Sequence, residues 1–477
     1  MPRWIGLDLH KRVLEVCVLD EAGHIQSRTR LPVERAELRK FAERELRTDD
    51  QLAVEATTNT WPVVALLRPY VGKIVVSNPL QTKAIATAKV KTDKVDAETL
   101  ARLLRADYLP TVWQPDAATA HLRHLCSQRS SLVADRTAVK NRIHALLHQR
   151  LIPVPNESLF SQRRRRWLTD LELEPEDRAT LARDLHLLEE FDRAIADLDH
   201  TLYRVGGNDP RLKLLVTLPC VDVVCAQTLL AALGDVRRFH DGAHAASYLG
   251  LVPSTKQSAD RCYHGPITKA GNGHARWMMV QAAQHLDRHP GPLGAFFRRL
   301  ARKKNRNVAV VACARKLVVI AYELLLHTQP YRYAQPGPTA EKLRRLRLRT
   351  GGTRRKTGSP KGIWSVAKLP GGSRTFKALP TLYAEEDVPQ LVPPAPGELR
   401  VQRQPDVAHF VASLSQSQVR RRRRPTTDDL TSEACTHTRA VSEDLALRPS
   451  APVKAAARPA PLRSAPAGDG RSPDKRR

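Results

Sequence analysis

Residues 3–79 alternate between two hydropathy periods, and this alternation limits the possible folds more than any other feature of the chain. WIGLDLH (4–10), VLEVCVLD (13–20) and HIQSRTRLP (24–32) are short, apolar or β-branched segments. Polar turns separate them, the last two being joined at EAGH, so they read as three consecutive strands. A charged amphipathic helix follows at about 34–47, then the strand QLAVEAT (51–57) and an apolar helix around WPVVALLRPY. Next come the strand KIVVSNP (73–79) and a helix carrying KTDKVDAETLARLL (91–104). A strand meander followed by helix-linked strands predicts a mixed-sheet α/β layer architecture.

The periodicity then changes to a helical one. Leu122, Leu125, Leu132, Val139, Ile143 and Leu146 keep a 3-4 spacing, with Arg129 and Arg136 in the remaining seam slots. Leu181, Leu185, Leu188, Ile195, Leu198 and Leu202 repeat the pattern. Two long helices packed on each other or on another subunit account for it. From about 211 to 334 the chain is again mostly helical, broken by a polar, glycine-containing stretch (253–273) that reads as a loop. Beyond Tyr333, proline, arginine, alanine and serine dominate and apolar periodicity fades. The expected division is 3–112, 113–206, 207–334 and a disordered basic tail, 335–477.

Charge narrows the choice of partner. The 477 residues carry 78 Lys+Arg against 49 Asp+Glu, a formal net charge of +29. That excess points to a polyanion, because each neutralised phosphate releases condensed counterions. The N-terminal MPRWIGLDLHK has no signal-type apolar stretch, and VAVVACARKLVVIAYELLL (308–326) is interrupted by Arg315, Lys316 and Glu323. It reads as a buried helix, not a membrane span. The 7 scattered cysteines form no C-x-x-C pair, which favours reduced thiols in a cytoplasmic protein. For Arg123, Arg129, Arg136, Lys140 and Arg142, a solvated face and a nucleic-acid-facing surface are both open.

Four carboxylates are placed to act together. Asp8 lies on the first strand, Glu55 near the end of the fourth, and Asp93 and Asp96 three apart at a helix start. If the first and fourth strands are neighbours, all four converge at one sheet edge. Clustered carboxylates repel, and hard divalent cations relieve this with oxygen-only coordination. Taken singly, each acid also has an ordinary role, as a helix cap, a macrodipole partner or a strand end.

GLDLHK (6–11), the EAT of VEATTNTW (54–61), NP at 78–79 and KTDKVDAETLARLL resemble the DEDD-type transposases of the insertion-sequence one-ten family, relatives of the Piv and MooV invertases. The resemblance implies a RuvC-like N-terminal domain of RNase H fold whose Asp8, Glu55, Asp93 and Asp96 bind Mg²⁺. TLLAALGDVRRF (228–239), SYLGLVPSTKQSA (247–259), GPITKAGNGHARWMMVQAA (265–283) and VAVVACARKL (308–317) resemble the same family's C-terminal transposase domain. The family's serine nucleophile falls on Ser258, with Ser254 and Thr255 close by. Lys269, Asn272 and Arg276 match a K-x-G-N-x-x-x-R pattern and are assigned to phosphate contacts, beside Arg129, Arg136 and Lys140; capping and loop packing are the ordinary alternative.

The resemblance further implies a bacterial, nucleoid-associated recombinase that cuts and rejoins donor and target DNA through a transient phosphoserine link. A structured bridge RNA would select the DNA, and the enzyme would act as a homo-oligomer around a coiled-coil connector. Two departures stand out. Ser258-Ala259 replaces the usual S-G, and Pro219-Cys220-Val221-Asp222 replaces P-G-I-G. The second argues against a phosphate-gripping turn and assigns that segment to packing. A RuvC-like hydrolytic nuclease and an inactive nucleic-acid-binding relative are the competing expectations.

Overall fold

Five strands in the order β3-β2-β1-β4-β5 form the sheet of the first unit, residues 1–121, in this computed structural model. The structure describes residues 2–85, 92–155, 159–258, 261–351, 374–416 and 418–420. The strands are β1 (Trp4–Leu9), β2 (Val13–Leu19), β3 (Ile25–Pro32), β4 (Gln51–Glu55) and β5 (Lys73–Ser77). The first three form an antiparallel meander, while β4 and β5 join β1 in parallel. The condition set by the sequence is therefore met: β1 and β4 are neighbours.

Alternation sorts the strand residues into two faces. Ile5, Leu7, Leu14, Val16, Leu52 and Val54 point to one side and pack under helices α1 (Arg35–Glu45) and α2 (Thr60–Leu67). Gly6, Asp8, Cys17 and Ala53 lie on the other side, together with the end residue Glu55. A short helix, α3 (Pro79–Ile85), follows β5, and α4 (Asp93–Arg105) covers the second face through Ala97, Leu100, Ala101 and Leu104. The alanines there let α4 lie close to the sheet.

The second unit, residues 122–477, is helical. Helix α5 (Ala117–Gln149) begins in the first unit. It runs antiparallel to α7 (Pro175–Gly206), with α6 (Gln162–Thr169) at the turn. Val139, Ile143 and Leu147 meet Leu168, Leu181 and Leu188, while Leu125 meets Leu202 nearer the base. The two heptad-like seams thus close on each other within one chain. Four ion pairs run along the helical hairpin: Arg129 to Asp199, Arg136 to Asp192, Arg142 to Asp184 and Arg150 to Asp177.

The core beyond this hairpin is built from α8 (Pro210–Val216), α9 (Val223–Leu233), α10 (Gly242–Tyr248), α11 (Gly273–Gln284), α12 (Pro292–Lys303) and α13 (Arg306–Leu326). All eleven residues of α9 are buried. The apolar segment expected to be a buried helix is α13, which places Cys313, Leu317 and Ala321 in the core. Among the described residues, no helix is long and apolar enough to cross a membrane.

Two expectations are corrected. The stretch at 253–273 begins with a β-hairpin, β6 (Pro253–Ser258) and β7 (Arg261–Ile267), rather than a loop. The expected disordered tail also starts too early. Helix α14 (Pro336–Arg349) buries Ala340, Leu343 and Leu346, and α15 (Leu379–Glu385) buries Leu379, Leu382 and Tyr383 in the same core. Helices α16 (Pro396–Gln402) and α17 (Pro405–Leu414) follow. Each begins with proline in its first turn, where the missing N–H costs nothing. Tyr383 anchors this segment by donating its hydroxyl to the Tyr331 carbonyl at 2.7 Å. Residues 421–477, with most of the arginine run at 420–424, lie outside the described residues.

Candidate metal centre and serine hairpin

Asp8, Glu55 and Ser77 stand side by side at the carboxyl ends of three parallel strands. Leu7 pairs with Val54, so the next residues, Asp8 and Glu55, share a face, and Glu55 pairs with Ser77. Neighbouring strands lie about 4.8 Å apart. The carboxyl edge of parallel strands is where open α/β sheets place their ligands. Helix α4 begins over this row. Thr92 caps it by accepting from the Val95 N–H, so neither Asp93 nor Asp96 is needed as a cap.

A tight contact fixes the helix over the carboxylates. A Cβ on Gly6 would stand 1.9 Å from the Ala97 carbonyl oxygen and 2.7 Å from the Ala101 nitrogen. Only glycine permits α4 to cross β1 this closely. The glycine of GLDLHK is therefore part of the site's construction.

Charge is concentrated at this edge. Asp8 is 7% exposed, and its carboxyl is held above the ordinary carboxylate range by burial, with Asp96 and Asp93 adding to the rise. His10 opposes it: Nε2 lies 3.1 Å from Asp8 Oδ2 and 3.3 Å from Asp93 Oδ1. Ligand atoms of Asp8, His10 and Asp93 all fall within 4.8 Å of one another. The imidazole thus sits where two carboxylates face each other. Ser77 Oγ, fully buried across from Glu55, has no hydrogen-bond partner among the described residues. Carboxylate oxygens with an orphaned hydroxyl are the donor set that a hard divalent cation takes. A second group of ligand-competent side chains, His240, Asp241 and His244, lies at the start of α10. Asp241 there caps the helix, its pKa lowered chiefly by the His244 hydrogen bonds.

His10, Glu15 and Ser77 were not anticipated from the sequence. His10 is two residues beyond Asp8, and alternation alone could have placed it on the same side. Asn59 fixes its loop by donating Nδ2 to the His10 carbonyl at 3.1 Å. Glu15 pairs directly with Asp8 in the β1–β2 register but is neutralised by Arg30 at 3.1 Å.

In the second unit, the three hydroxyls near the G-L-x-P element separate cleanly. Ser254 Oγ donates to the Pro266 carbonyl at 3.1 Å, and Thr255 Oγ1 lies 3.1 Å from His264 Nδ1. Ser258, at the exposed end of β6 opposite Arg261, makes no side-chain hydrogen bond among the described residues. Ala259 lies outside them. The hairpin is seated by two interlocked motif strips: Lys269 donates its N–H to Gly250 O and Thr268 to Val252 O. Gly271 has φ +69°, and a Cβ there would stand 1.9 Å from Tyr248 O.

The residues assigned to phosphate contacts are mostly engaged inside the protein. Asn272 caps α11 by accepting from Ala275 N–H, and Arg276 Nη1 donates to Leu249 O and Ala270 O at 3.0 and 2.8 Å. Lys269 remains exposed, with φ +55°. On α5, Arg129 and Arg136 hold Asp199 and Asp192, and Lys140 is buried with its ammonium 4.9 Å from the Phe160 ring centre. The aspartate partners of Arg129 and Arg136 lie on a helix far along the chain, so the sequence leaves a solvated face and a nucleic-acid surface both open.

The two motif-bearing regions match two known families. A family model for the DEDD transposase of IS110, described as Transposase, matches residues 5–152, and one described as Transposase IS116/IS110/IS902 family matches residues 212–298. The chain carries two domains of the IS110 transposase family. A Sinorhizobium fredii protein named as a transposase, y4qE, is 31% identical over 43% of this chain, which spans only 50% of that protein. A Pseudomonas aeruginosa protein named as a family 20 transposase is 28% identical over 69% of this chain and 98% of its own length. The pilin gene-inverting protein of Moraxella bovis is 26% identical over 59% of this chain and 81% of its own. The acidic group of the first unit lies inside the matched DEDD region.

Proposed function

We propose that this IS110-family chain recombines DNA by cutting and rejoining strands, with Asp8, Glu55, Asp93 and Asp96 holding Mg²⁺ and Ser258 as the nucleophile. The observation that carries the proposal is the placement of Asp8 and Glu55 on adjacent strands beneath the first turn of α4. The strand order 3-2-1-4-5 supports a RuvC-like domain of RNase H fold, and the α5–α7 hairpin supports a coiled-coil connector. Bound Mg²⁺ would supply Lewis-acid stabilisation of charge developing on phosphoryl oxygens. The protein's own part is positional. Gly6 sets the height of α4, Thr92 frees the two aspartates from capping, and His10 lies within hydrogen-bond reach of Asp8 and Asp93.

Ser258 Oγ would attack the scissile phosphorus as the sugar oxygen departs, with the hydroxyl proton lost to a base. The resulting phosphoserine ester keeps the bond energy needed for rejoining, so no free hydrolysis occurs. The pilin gene-inverting relative is named for inversion of DNA, an outcome that needs rejoining as well as cutting. The large positive charge suits a structured guide RNA bound through backbone and shape, and a homo-oligomer brings two DNA partners together.

The test is strand exchange on DNA carrying the element's ends, with RNA transcribed from its flanking noncoding segment. Ser258→Ala is expected to abolish strand exchange, and Asp93→Asn to abolish both Mg²⁺ dependence and recombination. Continued cutting by Ser258→Ala without joining would favour the hydrolytic nuclease. Unchanged Mg²⁺-dependent recombination in Asp93→Asn would remove the metal site.

A further inference from the structure

The two faces of the β6–β7 hairpin differ in a way that hairpin stability does not require. Cross-strand partners share a face, so Lys256 with Tyr263 and Ser258 with Arg261 line one side. Thr255 with His264 and Gln257 with Cys262 line the other. On the second side three of the four side chains are linked, Thr255 Oγ1 to His264 Nδ1 at 3.1 Å and Cys262 Sγ to His264 Nε2 at 3.9 Å. On the Ser258 side, none of the four side chains has a hydrogen bond or ion pair among the described residues. All four are exposed, and Tyr263 at 71% is the most exposed aromatic residue among those described.

Such a face adds little to the stability of the hairpin itself. An isolated two-stranded hairpin is marginal in water, and this one has no apolar side turned to the core beyond its base. It holds instead two cations without an ion pair among the described residues, a nucleophile-type hydroxyl and an exposed aromatic ring. That set matches single-stranded nucleic acid, where cations follow the backbone and aromatic rings take the bases. A duplex does not offer its base faces to such a ring.

We propose that this face binds an unpaired DNA nucleotide, whose base stacks on Tyr263 while Lys256 and Arg261 hold the phosphates on either side. The choice of DNA over RNA rests on the reading of Ser258 as nucleophile toward a DNA phosphate, since Ser258 shares the face. Two residues of strand separate the Ser258–Arg261 pair from the Lys256–Tyr263 pair, about 7 Å. A nucleotide lying along β6 therefore reaches the ring with its base while its phosphate meets Arg261. Tyr263 is a positioning residue in this arrangement: it keeps the strand unstacked and in register beside the hydroxyl.

The experiment is photocrosslinking of the full-length protein to an oligothymidine carrying one 5-iodouracil, with the crosslinked peptide mapped. The hairpin peptide is expected to carry the crosslink. Tyr263→Ala should lower its yield at least about fivefold, the low end of what one base–aromatic stack contributes. Tyr263→Phe should retain it, because the ring rather than the hydroxyl does the stacking. An equal yield in Tyr263→Ala, or crosslinks confined to other peptides, overturns the proposal, as does a Tyr263 dependence seen only with oligouridine. Ser258→Ala separates this proposal from the recombinase reading. Loss of the Tyr263 crosslink dependence with strand exchange still abolished by Ser258→Ala removes only the stacking site. A retained dependence with strand exchange surviving Ser258→Ala removes only the nucleophile.

Discussion

Gly6 lies so close beneath the backbone of Ala97 that a methyl group on Gly6 would stand 1.9 Å from the Ala97 carbonyl oxygen. The obstacle is backbone, which cannot rotate aside like a side chain. Gly6→Ala is therefore expected to lift α4 from the sheet and to destabilise the first unit by about 3 kcal/mol, the upper part of the overpacking range. Because α4 carries Asp93 and Asp96, the same variant should lose stabilisation by Mg²⁺. Urea unfolding with and without Mg²⁺ checks both, and a wild-type midpoint in Gly6→Ala would show that the helix has room to move.

The ion pairs along the helical hairpin make a second prediction, directed at where nucleic acid binds. Arg136 Nη1 lies 3.0 Å from Asp192, which also accepts from Arg165. Half-buried pairs of this kind contribute about 1 kcal/mol each. Arg136→Gln should lower stability by that order while leaving DNA affinity and its salt dependence as in the wild type. A drop of about one in the log–log salt slope would instead identify Arg136 as a phosphate contact.

The contrast between these two sites shows which parts of the structure the sequence could reveal. Strand alternation in WIGLDLH and QLAVE was visible because one face of each strand is apolar, and the i,i+3 spacing placed Asp93 and Asp96 on one side of a helix. The β6–β7 hairpin gave no such signal, since both of its faces are polar along much of its length. The partners of Arg129 and Arg136 were hidden for another reason: a surface-type charge pattern reads the same whether its counter-ion is a phosphate or an aspartate on a distant helix. In α14 the buried Ala340, Leu343 and Leu346 are diluted by arginines, so composition suggested disorder where packing supplies order.

Lys342 gives a pH prediction. Its Nζ donates to Leu218 O at 2.6 Å and Val221 O at 3.0 Å, and burial lowers its pKa to about 8 from an ordinary 10.5. Between those values the unfolded chain binds more protons than the folded one, so stability should rise with pH from about 8 to 10.5. The expected gain is about 3 kcal/mol. Lys342→Met leaves two carbonyls without a donor and shifts stability as a whole, but it should remove Lys342's share of this pH slope. Parallel wild-type and variant slopes in chemical unfolding across that window would mean the ammonium keeps its ordinary pKa when folded.

Cys220 occupies a backbone conformation that suits a different residue. Its φ is +60°, in the left-handed region, just before the turn in which Asp222 caps α9 by accepting from Cys225 N–H at 2.8 Å. A side chain in that region costs about 1–2 kcal/mol. Replacing Cys220 by glycine should relieve the strain, while the greater freedom of the unfolded chain takes back about 0.4–1 kcal/mol. Cys220→Gly is thus expected to stabilise the second unit by about 0.5–1 kcal/mol, against the usual direction for a glycine substitution. Asp222→Ala should cost about 1 kcal/mol through loss of the cap. If Cys220→Gly instead lowers the urea midpoint, side-chain contacts of Cys220 outweigh its backbone strain, and the turn tolerates the departure from glycine because of packing.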